Sequence, residues 1–433
     1  MNKIEKLLQT LAPKGVEFKT LEEVFEIKNG YTPSKNNPEF WKNGTIPWFR
    51  MEDIRENGRI LKDSIQHITP KALKGKKLFP KNSIIISTTA TIGEHALLIV
   101  DSLANQQFTF LSKKANCDLA LDMKFFFYQC FLLGEWCKNN TNVSGFASVD
   151  MTAFKKYKFP IPPLEIQQEI VKILDAFTEL NTELNTELKA RKKQYEYYQN
   201  MLLDFNDINQ NRKDAKEKLT QKPYPKRLKT LLHTLAPKGV EFRKLGEVCE
   251  IIRGKRVTKK EILDKGKYPV VSGGIGFMGY LNEYNREENT ITIAQYGTAG
   301  FVNWQNQKFW ANDVCFSLIP KETLINRYLY YVLTNMQNYL YSISNRSAIP
   351  YSISSNNIMQ ITIPIPPLEI QQEIVKILDQ FSLLTTDLLA GIPAEIKARK
   401  KQYEYYREKL LTFKPLTPNK EVKKMLTAFF NTK

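Results

Sequence analysis

A glycine-rich motif is the feature of this chain whose spacing most directly suggests chemistry. Gly274, Gly276 and Gly279 satisfy the pattern G-x-G-x-x-G and follow the strand-like segment 268–271. A dinucleotide site requires a helix that begins inside this motif, whereas the sequence YLNEYN at 280–285 is typical of a loop or strand. We therefore expect a glycine-rich loop that brings its backbone close to a partner.

Other signatures of catalysis are missing from the sequence. It contains no G-x-x-x-x-G-K-[ST] phosphate loop. It also contains neither Asn-Pro-Pro-aromatic nor Asp-Pro-Pro-aromatic, the tetrapeptides of amino-methylating enzymes, and no tight cluster of Asp, Glu and Lys that would indicate a nuclease. We therefore expect this chain to supply no catalytic residue, and we expect its loops to bind a partner.

Polar loops carry the residue types that recognise base edges in DNA. Arg and Lys pair with guanine, Asn and Gln pair with adenine, and Ser, Thr and small apolar groups complete the set. In the first half of the chain the candidates are Asn29, Tyr31, Thr32, Ser34, Trp48, Arg50, Thr88, Thr89, Thr91, Ser144 and Ser148. In the second half they are Arg253, Lys255, Arg256, Ser272, Gly274, Gln295, Tyr296, Thr298, Asn345, Arg346 and Ser347. For any single residue an ordinary solvated loop is the competing explanation, and the set is better supported than its members.

Three lysines, Lys74, Lys76 and Lys77, are candidates for phosphate contacts, which position a duplex without specifying its sequence. A solvated helix face is the alternative explanation for them.

Charge and composition narrow the class of partner. The chain has 63 Lys and Arg against 45 Asp and Glu, a formal net charge of +18, which favours a polyanion, although many soluble proteins are basic without binding nucleic acid. Five cysteines without C-x-x-C spacing predict reduced thiols and a cytoplasmic location. The three histidines are far apart in sequence, so we expect no metal site. No apolar run of about 18 residues predicts a membrane span.

The elements that would position these loops occur twice. The repeated segments are 7–18 with 231–242, 164–175 with 368–379, which is identical in both copies, and 189–198 with 397–406. Between them Thr91, Ala104 and Leu111 match Thr298, Ala311 and Leu318 at a constant offset of 207. Residues 83–87 and 290–294 are rich in β-branched side chains and predict strands. Aromatic stretches near 122–138 and 324–343 predict helices. The loops between these shared positions diverge, as expected of two related domains that recognise different things.

A long amphipathic helix follows each domain. The proline-rich hinges 159–163 and 363–367 precede it, and apolar residues then recur every three or four positions, as in a coiled coil. A helix over 164–205 would span about 60 Å. The first copy carries the tandem tetrapeptide Thr-Glu-Leu-Asn within 178–188, each repeat adding about 6 Å. The second copy is interrupted at 391–393.

The duplicated arrangement resembles the specificity subunit of a type I restriction-modification system. The resemblance covers residues 1–413 and is carried by the repeated PPLEIQQEIV and RKKQYEYY segments. It implies two target recognition domains that each recognise one half of a split DNA sequence, and two antiparallel helices that set the unread spacer. It also implies two modification chains and two restriction chains that hold the catalytic sites. The individual base-contacting residues do not carry over, because such domains diverge too far.

These observations predict an α+β fold with two similar target recognition domains, joined by two long antiparallel coiled-coil helices in a pseudo-twofold internal repeat. The predicted segments are 1–160 and 231–364 for the domains, 161–205 and 365–413 for the spacer helices, 206–230 for a surface linker, and 414–433 for a basic tail. We expect double-stranded DNA, modification subunits and restriction subunits as partners, and S-adenosylmethionine, ATP and magnesium only in those subunits. The alternatives are a decoy that binds modification subunits without DNA, and a free-standing methyltransferase or nuclease.

Overall fold

Two discontinuous units, rather than two consecutive halves of the chain, make up the fold. The computed structural model describes residues 2–142, 147–347, 349–386 and 391–416. Unit 1 comprises Met1–Glu183 with Lys397–Lys433, and unit 2 comprises Leu184–Ile396. Each unit combines helices with mainly antiparallel sheets, which confirms the predicted α+β class.

Unit 1 carries twelve strands among its described residues. They are β1 (Glu17–Thr20), β2 (Phe25–Asn29), β3 (Ile46–Phe49), β4 (Ile60–Leu61), β5 (His67–Ile68), β6 (Ile84–Ser87), β7 (His95–Leu98), β8 (Leu103–Ala104), β9 (Phe108–Lys113), β10 (Thr141–Asn142), β11 (Ser148–Val149) and β12 (Lys158–Ile161). Its helices before the spacer are α1 (Asn2–Leu11), α2 (Leu21–Val24), α3 (Met51–Asn57), α4 (Met123–Asn139) and α5 (Met151–Lys155). The long helix α6 (Leu164–Leu203) begins in unit 1 and ends in unit 2.

Unit 2 repeats this plan. Its strands are β13 (Glu241–Lys244), β14 (Cys249–Arg253), β15 (Tyr268–Val271), β16 (Tyr280–Leu281), β17 (Thr290–Ala294), β18 (Val302–Gln305), β19 (Trp310–Ala311), β20 (Cys315–Pro320) and β21 (Thr362–Ile365). Its helices are α7 (Ala215–Gln221), α8 (Lys226–Leu235), α9 (Leu245–Val248), α10 (Asn326–Asn335), α11 (Gln337–Ser342), α12 (Ser355–Met359) and α13 (Leu368–Thr386). The helix α14 (Ile392–Leu411) begins in unit 2 and ends in unit 1.

The sheets of the two units share order and register. One sheet runs β2-β9-β6-β7-β4 in unit 1 and β14-β20-β17-β18 in unit 2. Ile84 pairs with Leu111 in the first and Ile291 with Leu318 in the second, so the offset of 207 that the sequence displays is a structural equivalence. A second sheet, β5-β3-β8 or β16-β15-β19, combines one antiparallel and one parallel pairing in each unit. The segments 30–80 and 254–290 therefore share a strand arrangement that their sequences conceal.

The repeated dodecamer docks each spacer helix onto its own domain. In unit 1, Gln167 is fully buried: its Oε1 accepts from the Asp122 backbone N at 2.8 Å, and its Nε2 donates to the carbonyl oxygens of Ala120 and Pro162. Asp175, eight residues later, accepts from Lys124 Nζ and Tyr128 Oη, both at 2.6 Å. The first half of α6 is thereby fixed to α4 and to the turn that precedes it.

The second copy makes the same contacts in unit 2. Gln371 accepts from the Ile325 backbone N at 2.8 Å and donates to the carbonyl oxygens of Thr323 and Pro366. Asp379 accepts from Arg327 Nε at 2.8 Å and from the Tyr331 hydroxyl. These four docking residues explain part of the identity of the dodecamers by packing within each unit.

Tyrosines of the repeated decamer pack in the helix seam, as predicted. In unit 1 the ring of Phe177 lies 6.2 Å from that of Tyr403 and 5.7 Å from that of Tyr406. In unit 2, Phe381 lies 6.5 Å from Tyr195 and 4.9 Å from Tyr198. Burial raises the pKa of Tyr195 to about 12, as expected for a phenol in an apolar seam.

The interruption of the second spacer helix also lies where the sequence predicts it. Among the described residues α13 ends at Thr386, and α14 begins at Ile392 with Pro393 in its first turn. Proline is tolerated in that turn because its missing amide would have no partner inside the helix.

The segment 206–230, predicted as a surface linker between the repeats, is partly buried in unit 2. Ile208, Ala215, Leu219 and Tyr224 are buried in the core of unit 2 together with Leu228. The segment is polar on average, but its few apolar residues are spaced so that they become buried. This spacing, and not the average composition of the segment, determines its burial.

Buried His95 gives unit 1 a pH dependence. Its Nδ1 lies 3.1 Å from the Gly93 carbonyl oxygen, its Nε2 has no partner, and the rings of Phe127 and Phe131 surround it. Burial, reinforced by the nearby Arg59 guanidinium, lowers the pKa of His95 to about 3. The folded chain therefore keeps this imidazole neutral at pH values where the unfolded chain protonates it.

We expect the free energy of unfolding to fall as the pH drops below 6.5, the ordinary pKa of histidine, towards the lowered pKa in the folded chain. The contribution of this one site is about 1.4 kcal/mol per pH unit. Urea unfolding of wild type and His95→Leu between pH 7.5 and 5.5 measures it, and the variant should lose this slope. His233→Gln, at an exposed position, is the control, and an equal slope in wild type and His95→Leu would contradict the assignment.

Candidate nucleic-acid interface

The predicted contact residues of unit 1 gather at the end of β2, β3 and β6. Beyond β2 the backbone turns at Gly30, whose amide donates to the Phe108 carbonyl oxygen at 2.8 Å, and the Tyr31 amide donates to the Ala104 carbonyl oxygen at 2.8 Å. A Cβ at Gly30 would lie 2.1 Å from the Asn105 carbonyl oxygen. Only glycine fits here, so backbone contacts alone fix the course of this turn.

The turn 88–91 joins the same edge. Gln107 Nε2 donates to Thr91 Oγ1 at 2.8 Å and to the Thr89 carbonyl oxygen at 3.3 Å. Thr89 pairs with Ser148 in a short antiparallel bridge. Asn29 Oδ1 accepts from the hydroxyl of Thr109 in β9. These contacts place Asn29, Thr89, Thr91 and Ser148 close together.

Two of the lysines approach the same part of unit 1. Lys76 Nζ lies 4.0 Å from the centre of the Tyr31 ring, and Lys74 Nζ lies 5.3 Å from that of Phe40. Lys74 ends the short helical turn Pro70–Leu73 in a left-handed conformation, so it does not lie on a helix face. Lys76 and Lys77 are exposed beside it.

Two candidates of unit 1 are positioning residues rather than contact residues. Trp48 is buried in a small apolar cluster, and its Nε1 donates to the Tyr31 carbonyl oxygen at 2.9 Å. Thr88 is buried, with its hydroxyl 2.9 Å from that of Thr109. This burial is at odds with the predicted base contacts. Pro47, Trp48 and Phe49 of β3 are all buried, and Thr88 directly follows the buried strand β6.

The remaining candidates of unit 1 have less defined surroundings. Thr32 and Arg50 are partly exposed and Ser34 is exposed. The Arg50 backbone N donates to the buried Asp53 carboxylate at 2.7 Å, which holds this residue at the start of α3. Ser144 lies outside the described residues.

Unit 2 builds the equivalent edge on the same backbone. Gly254 donates its amide to the Cys315 carbonyl oxygen, Lys255 donates its amide to the Ala311 carbonyl oxygen, and a Cβ at Gly254 would lie 2.1 Å from the Asn312 carbonyl oxygen. Trp310 Nε1 donates to the Lys255 carbonyl oxygen at 2.9 Å. The scaffold of the turn is thus shared, while Tyr31 of unit 1 is replaced by Lys255.

Three further loops of unit 2 converge on this edge. The amide and hydroxyl of Thr298 both donate to the Gly273 carbonyl oxygen, at 3.0 and 2.7 Å, and the Gly297 amide donates to the Tyr351 carbonyl oxygen at 3.1 Å. Asn345 pairs with Ser352, which also pairs with Tyr296. The loops 272–279, 295–298 and 345–352 are therefore adjacent, and the exposed members among their predicted residues are Gly274, Asn345, Arg346 and Ser347. Ser272, Gln295, Tyr296 and Thr298 are partly exposed.

The basic residues of unit 2 lie beside these loops. Arg253 Nε donates to the Asp313 carbonyl oxygen at 2.7 Å, and the Gln295 amide donates to the adjoining Val314 carbonyl oxygen. Arg253, Lys255 and Arg256 are all exposed. The arrangement supplies cations for phosphates and a mixed set of donors and acceptors for base edges.

Two positioning residues were missed as site residues, Gln107 and Asn312. Asn312 is buried, and its Oδ1 accepts from the Val257 amide at 3.1 Å, which closes the segment after Gly254. The signal for Asn312 was present, because Ala311-Asn312 matches Ala104-Asn105 at the offset of 207. Gln107 carried no sequence signal, since its role depends on a turn that is distant in sequence.

Buried thiols occur in both units. Burial raises the pKa of Cys137, Cys249 and Cys315 to about 12, which keeps these thiols protonated. Among the described residues no group of three or more His, Cys, Asp or Glu side chains is placed to hold a metal ion. No described helix is long and apolar enough to span a membrane.

Comparison with known proteins assigns the family. The model of the type I restriction modification DNA specificity domain matches residues 13–193 and 237–398. The chain belongs to this type I restriction-modification specificity family. It is 40% identical over 403 residues to the specificity subunit of the Escherichia coli type I restriction enzyme EcoprrI, covering 89% of this chain and 91% of that protein.

Other specificity proteins match more distantly. The specificity subunit of the type I restriction enzyme EcoR124I/EcoR124II from Escherichia coli is 34% identical over 203 residues, covering 44% of this chain and 48% of that protein. A type I restriction-modification S subunit from M. genitalium has the same fold, with a TM-score of 0.56 and 18% identity over 93% of this chain and 97% of that one. A chain from a structure on complex assembly and conformational transition of the type I restriction-modification system gives a TM-score of 0.58 and 16% identity, covering 92% and 97%.

The clamp made by Gln107 yields a prediction for this specificity-family fold. Gln107→Ala removes two hydrogen bonds to the turn 88–91, and each is worth about 1 kcal/mol. We expect the amides of Thr89–Gly93 to exchange with solvent about tenfold faster. Hydrogen exchange of wild type, Gln107→Ala and the exposed neighbour variant Gln106→Ala measures this, and equal rates in the two variants would contradict the clamp.

Proposed function

We propose that this chain is the DNA sequence-recognition subunit of a type I restriction-modification complex, with each unit recognising one half of an asymmetric, split site. The observation that carries the proposal is the pair of equivalent edges. Both turn at a glycine that no other residue can replace sterically, at Gly30 and Gly254, yet they present different side chains around it. A shared scaffold with different donors suits two different half-sites.

In this proposal the chain recognises the DNA and sets the distance between the half-sites, and its partner subunits carry the catalytic sites. S-adenosylmethionine belongs to the modification subunits, and ATP and magnesium belong to the restriction subunits. The +18 charge supplies attraction to the phosphates, and the loops at the two edges supply sequence discrimination. No methyl transfer or strand cleavage is assigned to the residues of this chain.

The spacer helices set the separation of the half-sites. Helix α6 is continuous over 40 residues, and the division between the units falls between Glu183 and Leu184, inside the tandem tetrapeptide. One tetrapeptide therefore changes the length of helix that joins the units by about 6 Å and its rotation by about 40°. With about 3.4 Å and 35° per base pair, this corresponds to one or two base pairs.

The repeated segments also support docking of two modification subunits. Unit 1 contains 164–175 of its own spacer helix and 397–406 of the other, and unit 2 contains 368–379 and 189–198. Each unit thus carries one copy of each segment. Identical exposed residues recur at equivalent positions in both: Leu164 and Leu368, Glu165 and Glu369, Gln168 and Gln372, Lys172 and Lys376, and Tyr197 and Tyr405. Packing within the units does not require these side chains, so a partner that binds twice accounts for them.

The decisive experiment is genome-wide mapping of methylated adenines in the host with the gene present and deleted. We expect one split motif, two short specific blocks around a fixed gap, to vanish on deletion. Exchanging residues 20–158 for another such domain should change one block only. The exchange preserves the fold because Thr20 pairs with Lys158 at the end of the β1–β12 ladder. A change in both blocks, or no lost motif, would overturn the proposal.

Deleting Thr182–Asn185 tests the spacer. We expect the gap to shorten by one or two base pairs while both specific blocks stay unchanged. Methylome sequencing of the deletion strain measures the gap. The control is Thr182→Ala with Thr186→Ala, which alters the repeat without changing helix length, and an unchanged gap in the deletion would contradict the ruler.

Tyr405→Ser tests the docking surface. Tyr405 is 60% exposed and its equivalent Tyr197 is 57% exposed, and loss of an exposed aromatic anchor costs about 2 kcal/mol, or roughly 30-fold in affinity. Native mass spectrometry should then show one modification subunit per chain instead of two. The control is Lys409→Ser, at an exposed position on the same helix that is not repeated, and two retained subunits in Tyr405→Ser would argue against docking there.

A further inference from the structure

An exposed apolar tip stands among the polar and basic loops of unit 2. The loop 272–279 presents Ile275, Phe277 and Met278, whose side chains are 68%, 47% and 39% exposed. A folded chain gains nothing from large apolar side chains in water, and Gly276 beside them has no atom within reach of a Cβ. The tip therefore projects at Ile275 and Gly276, while the Phe277 ring contacts that of Tyr280 at 6.4 Å between centroids and leaves about half of its side chain exposed.

The base of this loop, in contrast, is held firmly. The Met278 amide donates to the Val270 carbonyl oxygen and the Val270 amide to that of Gly279, both at 2.9 Å. Gly273 accepts two hydrogen bonds from Thr298. Met278 Sδ lies 3.7 Å from the amide nitrogen of buried Asn312. A rigid stem thus supports Ile275 and Phe277 at a defined place on the edge.

The surroundings of the tip select its partner. Asn312 also holds the Val257 amide, so the tip stands next to the segment with the exposed cations Arg253, Lys255 and Arg256. Cations on one side suit a phosphate backbone. The neighbouring segments 295–298 and 345–347 carry hydrogen-bonding groups for base edges, and exposed Ile349 and Tyr351 follow them. A bare apolar tip between such groups suits the face of a base pair, as in proteins that unstack DNA with Ile, Phe or Met wedges.

We propose that the loop 272–279 is a wedge that unstacks one base step in the half-site bound by unit 2, with Ile275 entering the step and Phe277 covering the exposed base. The inference rests on the proposed DNA recognition and adds a distortion to it. In unit 1 no exposed apolar tip follows β3 directly, because Phe49 leads within two residues into α3, where Met51 and Ile54 are buried. The distortion is therefore confined to one half-site.

The wedge also adds a source of specificity. Pyrimidine–purine steps unstack most easily, so the half-site of unit 2 should favour such a step at the wedge even where no side chain contacts a base edge. This preference disappears when the wedge is removed, whereas preferences from hydrogen bonds persist.

The experiment uses the assembled complex of this chain with its modification subunits and a duplex carrying the split motif obtained from methylome mapping. 2-Aminopurine replaces, one at a time, each adenine in and beside the motif, and its fluorescence rises when the base loses its stacking neighbour. The methylated adenines are left out, because a methyltransferase flips its target base out of the stack. At the remaining positions we expect a rise of several-fold at one step in the unit 2 half-site and none in the other. Ile275→Ser with Phe277→Ser should abolish the rise and weaken binding about tenfold.

The control is Leu263→Ser, which removes an exposed large apolar side chain from the same small sheet region but outside the tip. It should bind and unstack like wild type. Specific binding without any fluorescence rise would overturn the wedge and leave the proposed recognition intact. An undiminished rise in the double variant would overturn the assignment to Ile275 and Phe277, as would loss of the modification subunits from that variant. No specific binding by wild type would overturn both proposals.

Discussion

The docking of each spacer helix onto its own domain is the contact on which the rest of this structure depends. Gln167 and Gln371 are fully buried, and each satisfies two backbone groups at the turn before α4 or α10 and one in the hinge that precedes its own helix. Loss of either would leave buried polar groups unpaired, at about 1–3 kcal/mol each. Asp175 and Asp379, about two helical turns after these glutamines, add charge-assisted hydrogen bonds to Lys124 and Arg327. Because the docking is rigid, each spacer helix keeps a fixed orientation relative to its own domain.

Each of the two candidate DNA edges combines a backbone held by internal contacts with exposed side chains that can vary. Gly30 and Gly254 make turns that depend on backbone contacts, and buried Trp48 and Trp310 each donate to a carbonyl oxygen of the adjoining turn. Substituting an exposed loop residue leaves these contacts unchanged. The exposed residues can therefore diverge between units while the scaffold stays the same, and the apolar tip of unit 2 is such a divergence.

Much of the fold could be predicted because its signals are local. The strands β6 and β17 follow from short β-branched runs, the long helix follows from apolar spacing, and the interruption near 392 follows from glycine and proline. The seam tyrosines Tyr195 and Tyr403 could be assigned because their copies are identical. The polar and glycine-rich loops of the candidate edges can be proposed from composition, and their contacts with DNA remain a prediction.

The sequence by itself determined the duplication, the class of fold and the family, because repeats and apolar periodicity can be read directly from the order of the residues. Tertiary structure alone decided the rest. It turned Trp48 and Thr88 inward, folded the polar segment around Leu219 into a core, gave Gln107 a clamp role and divided α6 between two units. These features have one physical reason. Burial and hydrogen bonding depend on residues that are distant in the chain, and the average composition does not identify those residues.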